Sequence, residues 1–125
     1  MELIEGTKIQ IRGKDYILPT MGGKAYRLGN AFEKLAKIED ALAIQTKTGK
    51  LSLNSELVGY MYDLTTMALQ RNYPEMTADE VEDALDIDQI MDCFPLLVSQ
   101  DKERTAKGME LLAKNAQKQS QKTVE

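Results

Sequence analysis

The chain has no histidine and no tryptophan, and only one cysteine, two phenylalanines and three prolines in 125 residues. Each scarcity closes off a class of function. Without histidine the commonest general base and metal ligand near neutral pH is missing, and Cys93 alone forms no internal disulfide. Three prolines and eight glycines are too few for a low-complexity linker. No stretch approaches the roughly 18 consecutive apolar residues of a membrane span. Met1-Glu2-Leu3-Ile4-Glu5 lacks the basic start and apolar run of a signal peptide. The expectation is a non-catalytic cytosolic protein without cofactor, metal or membrane attachment.

What is present is an ordinary globular balance, 42% apolar and 29% charged, enough for one modest core. The net charge of −4 hides a segregation. Residues 1–50 carry nine bases against six acids, residues 51–100 one against ten, and residues 101–125 six against four. From Glu75 to Asp92 there are eight acids and no base. Such a run repels phosphate, which argues against nucleic acid as a partner. Part of it is favourable charge at helix N-termini. A sharper reading is a docking face for the basic end of a second copy, giving head-to-tail association.

Local signals outline the elements. Ile9 and Ile11 alternate with polar residues, Gly13-Lys14 offers a two-residue turn, and Asp15-Tyr16-Ile17-Leu18 returns. This predicts a β-hairpin over about residues 7–19, with Arg12 opposite Asp15 and Ile11 opposite Tyr16. Leu28, Phe32, Leu35, Ile38 and Leu42 predict one helix from about Lys24 to Thr46. A polar loop, Thr46-Lys47-Thr48-Gly49-Lys50, precedes a second stripe of Leu53, Leu57, Tyr60, Leu64 and Met67. Pro74 bars helical geometry at Tyr73, so this helix should end near Asn72. Thr77 then caps a short helix to Leu85, with Glu80 placed to reach back and Met76 and Val81 placed to clasp. Asp86 and Gln89, between Leu85 and Ile90, repeat the pattern and start a helix near Ile87. Pro95 should kink or break it. Ala106, Met109, Leu112 and Ala113 continue a thin apolar stripe. The fold class is mainly α: a small helix-dominated α+β domain over residues 1–113 with its hairpin packed on the helices, and a polar, flexible tail over 114–125.

Chemical motifs fail on inspection. Gly23-Lys24 resembles the end of a phosphate-binding loop, but Leu18 and Ala25 stand where Gly and Ser or Thr are required. Asp86, Asp88 and Asp92 lack the turn glycine and closing glutamate of a calcium loop. Cys93 sits among Phe94, Leu96 and Leu97 with no adjacent base, as a buried thiol would. Tyr60, Tyr62 and Tyr73 could stack bases, but no basic residue lies between Glu56 and Gln70, and Tyr60 falls on the core stripe of its helix. Seven methionines, among them Met61, Met67, Met76, Met91 and Met109, suit adaptable apolar surface beyond what one core hides, although filling gaps in the core is the commoner role of the residue.

The hairpin ending in Tyr16-Ile17-Leu18-Pro19, the segment Ala68-Leu69-Gln70-Arg71-Asn72-Tyr73-Pro74-Glu75-Met76-Thr77, and Glu80-Val81-Glu82-Asp83-Ala84-Leu85-Asp86 into Ile90 together resemble the tail assembly chaperones of long-tailed bacteriophages. The resemblance covers residues 8 to about 98. It implies a homo-oligomeric chaperone of the host bacterial cytoplasm that binds the phage tape measure protein before the tail tube polymerises and is absent from the mature virion. It also implies a second, frameshift-extended form that recruits the tail tube protein. On that reading the partner-contacting positions are Phe94, Leu97, Val98, Met109 and Leu112, and Tyr73, Pro74, Thr77 and Glu80 form a structural capping turn. The alternative is a small helical regulatory or DNA-binding protein that uses the turn around Tyr73-Pro74.

Overall fold

The computed structural model describes residues 2–49 and 54–123. Two antiparallel strands, β1 (Gly6–Ile11) and β2 (Lys14–Pro19), precede five helices: α1 (Gly22–Arg27), α2 (Ala31–Thr48), α3 (Ser55–Asn72), α4 (Ala78–Ala84) and α5 (Ile87–Thr123). The helix-dominated α+β class is therefore correct.

The hairpin forms, but its register differs from expectation. Ile11 pairs with Lys14, Gln10 with Asp15 and Ile9 with Tyr16. Arg12 and Gly13 are the turn residues, at φ 53° and 78°. Two positive φ angles, with glycine second, make the hairpin turn that matches strand twist. The two registers differ by two residues, so either one puts Ile9, Ile11, Tyr16 and Leu18 on one face. Hydrophobic alternation cannot choose between them; turn geometry does.

The single helix expected from Lys24 to Thr46 is broken. The Gly29 N–H bonds back to the Ala25 carbonyl at 3.0 Å, and Asn30 takes the left-handed conformation, φ 53°, a recognised helix ending. A Cβ on Gly29 would come within 2.8 Å of the Ala25 oxygen, so the stop requires glycine. The break redirects the apolar stripe. Ile38 is buried, whereas Leu28 and Phe32 are exposed, Phe32 stacking on Tyr26 with ring centroids 4.6 Å apart. α2 also runs through Thr48, into the expected loop. Residues 50–53, including Leu53 of the expected stripe, lie outside the described residues.

α3 is the centre of the domain and packs on β2, α1, α2, α4 and α5. The Asn54 side chain caps it, accepting the Leu57 N–H at 2.9 Å. Leu64, Thr65, Ala68 and Leu69 are fully buried, so one helix presents apolar groups in several directions. Its last turn fastens the hairpin. Buried Asn72 accepts the Ile4 N–H at 2.6 Å, and its amide donates to the carbonyls of Ile4, at 2.9 Å, and Ile17, at 3.2 Å. The Tyr73 hydroxyl accepts the Ile17 N–H at 2.8 Å, while its ring meets that of Tyr16 edge-on.

The two expected caps each form one arm. Thr77 Oγ1 accepts the Glu80 N–H at 3.2 Å; at the second cap Gln89 reaches back to the Asp86 N–H at 2.9 Å. Val81, Leu85 and Ile90 are buried beside these caps. Pro95 does not end α5, which continues as one 37-residue helix. Proline costs one backbone hydrogen bond, and Pro95 stands on the exposed side. The helix also carries on past residue 114 to Thr123, where the sequence suggests a flexible tail, because Ala, Lys and Gln there are good helix formers.

Candidate functional site

The turn residues named from sequence serve the fold. Asn72 and Tyr73 spend their polar atoms on β2 and Ile4, Pro74 is exposed, and Thr77 caps α4 by accepting the Glu80 N–H. Seven-residue α4 shows solvent Asp79, Glu80, Glu82 and Asp83, of which Asp83 pairs with Arg12.

The five expected partner contacts divide three ways. Leu97, 0% exposed, and Phe94 belong to the core, while Pro95, Leu96 and Ser99 are exposed. Helical spacing places all of these on α5 but does not say which side meets the domain. Val98 is half-buried at the edge. Met109 and Leu112, 64% and 66% exposed, lie on α5 beyond Asp101, the last buried residue among those of the helix whose side chains are described. Leu111 is exposed beside them. The methionines mostly take the gap-filling role: Met21 and Met61 are buried and Met67, Met76 and Met91 pack against the core, leaving Met109 as the exposed methionine among residues 2–49 and 54–123. Flexible thioethers fill irregular gaps well.

Val98 opens onto a feature that sequence did not disclose. α2 and α5 diverge enough to leave an apolar groove of about 410 Å³ lined by Leu35, Ile38, Leu42, Phe94, Pro95 and Val98. Glu39, Ser99 and Lys102 complete its polar margin, with Lys102 Nζ 3.5 Å from Glu39. Leu35, Leu42 and Glu39 were readable only as parts of an amphipathic helix. The gap is tertiary, and no local pattern encodes it. Its apolar lining is of the kind that takes the apolar face of a helix.

One titratable cluster is buried. Asp101 is 7% exposed; its carboxylate accepts the Met21 N–H at 3.1 and 3.2 Å and the Tyr26 hydroxyl at 3.3 Å. Next to it, Gln100 donates to the Leu18 carbonyl at 3.1 Å and accepts from Thr7 at 2.9 Å. Together the pair ties α5 to β1, β2 and the start of α1. Burial pushes the Asp101 carboxyl above its ordinary value, outweighing the Met21 and Tyr26 hydrogen bonds and the charge of Arg71, which pull it down. Burial, then the Asp101 charge, raises the Tyr26 hydroxyl to about 12, so Tyr26 remains a donor at neutral pH. Burial likewise raises the Cys93 thiol, away from nucleophilic use.

An acid with a raised folded pKa costs stability as it ionises. Below about 3.8, the unfolded value, both states are protonated and Asp101 is neutral in effect. As pH rises the unfolded chain ionises first and stability falls, until the folded carboxyl has ionised too. Asp101→Asn, which keeps an acceptor for Met21, is therefore expected to gain on wild type between pH 4 and its plateau. Thermal melts of both proteins across pH check this; a constant difference would refute it.

Among the described residues no group of three or more His, Cys, Asp and Glu is placed to hold a metal ion, and no helix is long and apolar enough to cross a membrane. The chain matches no protein family, no curated protein and no solved structure in comparison.

Proposed function

We propose that this protein is a tail assembly chaperone of a long-tailed bacteriophage, a non-catalytic protein that holds helices of the tape measure protein in the groove between α2 and α5. The observation that carries the reading is the groove itself: open, apolar and bordered by Leu35, Leu42 and Val98. A tape measure protein is long and helical, and its apolar stripes need cover until the tube forms. Acids at Asp88, Asp92 and on α4 keep the loaded complex soluble. A frameshift-extended form that recruits the tail tube protein, and absence from the finished virion, belong to the same proposal. The DNA-binding alternative has less support, because the Tyr73-Pro74 turn is engaged with the hairpin and acids crowd the helix after it.

The test is co-expression with the long helical protein encoded downstream. Wild type should keep it soluble, and Leu42→Glu or Val98→Glu should weaken capture at least about tenfold, as loss of an interface anchor does. Unchanged capture by both folded variants would overturn the assignment. A slippery heptamer near the codons for residues 114–125 would support the extended form.

A further inference from the structure

The hairpin has two edges, and the fold treats them differently. In an antiparallel pair, residues directly opposite each other either exchange two hydrogen bonds or both turn their backbone groups outward. Ile17 turns outward: its N–H goes to the Tyr73 hydroxyl at 2.8 Å, and its carbonyl accepts from Asn72 at 3.2 Å. Its partner Lys8 therefore turns outward too, along the far side of β1, and so, two residues on, does Gln10 opposite Asp15. Among the described residues nothing is hydrogen-bonded to the N–H or the carbonyl of Lys8 or Gln10, and both residues are exposed. The end of α3 thus covers the β2 edge with two side chains, while β1 keeps four backbone groups in a row without partners. Such an edge accepts a further strand.

The side chains say which strand. The hairpin carries Lys8, Arg12 and Lys14 against Asp15, so a second β1 laid on this edge would set like charge beside like, whereas an acidic strand is attracted. Lys8 pairs with Asp15 at 3.1 Å yet keeps 66% of its side chain exposed, within reach of another acid. An added strand places alternate residues level with Lys8 and Gln10 on the solvent face, and the others level with Ile9 and Ile11 on the buried face. At Ile11 a cleft of about 320 Å³ opens between the hairpin and α4, its apolar lining being Ile11, Tyr16, Met76, Val81 and Ala84. We propose that β1 is a docking edge for an extended segment of a partner protein, paired antiparallel, with acids at the positions facing Lys8 and Gln10 and apolar residues between them. The edge shares no residue with the α2/α5 groove, so the proposal stands whether or not the chaperone reading does.

The experiment titrates the isotope-labelled full chain with the capped peptide acetyl-Val-Glu-Val-Glu-Val-amide, read by nuclear magnetic resonance. The amide signals of Lys8 and Gln10 should shift, and their hydrogen exchange should slow at least about tenfold at saturation. A peptide N-methylated at both glutamates cannot donate to the edge and should bind at least about tenfold more weakly. Methylation at the central valine, whose N–H points away from β1, should change little. Lys8→Glu, at an exposed position, should weaken binding at least about threefold. No shift at Lys8 and Gln10 overturns the proposal, as do shifts confined to α2 and α5 or indifference to methylation of the glutamates. Lys8 and Gln10 amides already protected in the free chain, and more so at higher concentration, also overturn it, because the edge would then belong to a second copy.

Discussion

Replacing Leu97 with Glu is expected to leave no folded protein at 25 °C, whereas Leu112→Glu, fifteen residues along the same helix, should melt within about 2 °C of wild type. Leu97 has no exposed surface and contributes to the core cluster with Leu64 and Leu69. A carboxylate there is a buried charge without a partner, costing several kcal/mol beyond the roughly 2 kcal/mol of lost apolar burial. Against a total of about 5–15 kcal/mol for a domain, that is most or all of the stability. Leu112 is 66% exposed, and surface changes usually fall within about 0.5 kcal/mol. Circular dichroism melts at a concentration where both are monomeric decide the matter. A cooperative transition for Leu97→Glu near that of wild type would mean α5 does not pack as described.

The second large effect is expected at Asn72→Ala, a loss of about 3 kcal/mol, lowering the melting temperature by roughly 10 °C for a domain of this size. Three hydrogen bonds disappear together: one accepted from Ile4 and two donated to the carbonyls of Ile4 and Ile17. The Ile17 carbonyl, only half-buried, regains some water, which keeps the estimate near 1 kcal/mol per bond. Tyr73→Phe removes a single acceptor for the Ile17 N–H and should cost about a third as much. Amide exchange at Ile4 and Ile17 should quicken in Asn72→Ala before the rest of the domain is affected. A shift below 2 °C would show that the latch contributes little.

What the sequence disclosed follows the range of its signals. Helix starts at Thr77 and Asp86 and the end of α3 at Asn72 were legible because a cap, a staple or a proline acts within a few residues. The hairpin was legible as an element but not in register, since alternation is indifferent to a two-residue slip and the turn decided it. The break at Gly29-Asn30 was missed because Leu28 and Phe32 continue a helical spacing across it; a glycine followed by asparagine was the available warning. On α5, spacing put Phe94, Leu97, Val98, Met109 and Leu112 on one helix, but only the neighbours fix which of them are covered. Asn72 looked like an ordinary helix end, for its partners are 55 and 68 residues away in the chain. The groove is a space between helices and has no letter of its own.

The fastening of the hairpin carries a consequence for how the protein is made. Its anchors are Tyr73, 56 residues after Ile17, and Gln100, 93 residues after Thr7. At about 5–20 residues per second a ribosome needs roughly 5–20 s to cover the longer interval. Throughout that time Ile9, Ile11 and Leu18 have been synthesised but lack the surface that will bury them. The hairpin, which leaves the exit tunnel well before its anchors, is then among the last elements to dock, and nascent chains on one message are most exposed to mispairing through their hairpins until Gln100 has emerged.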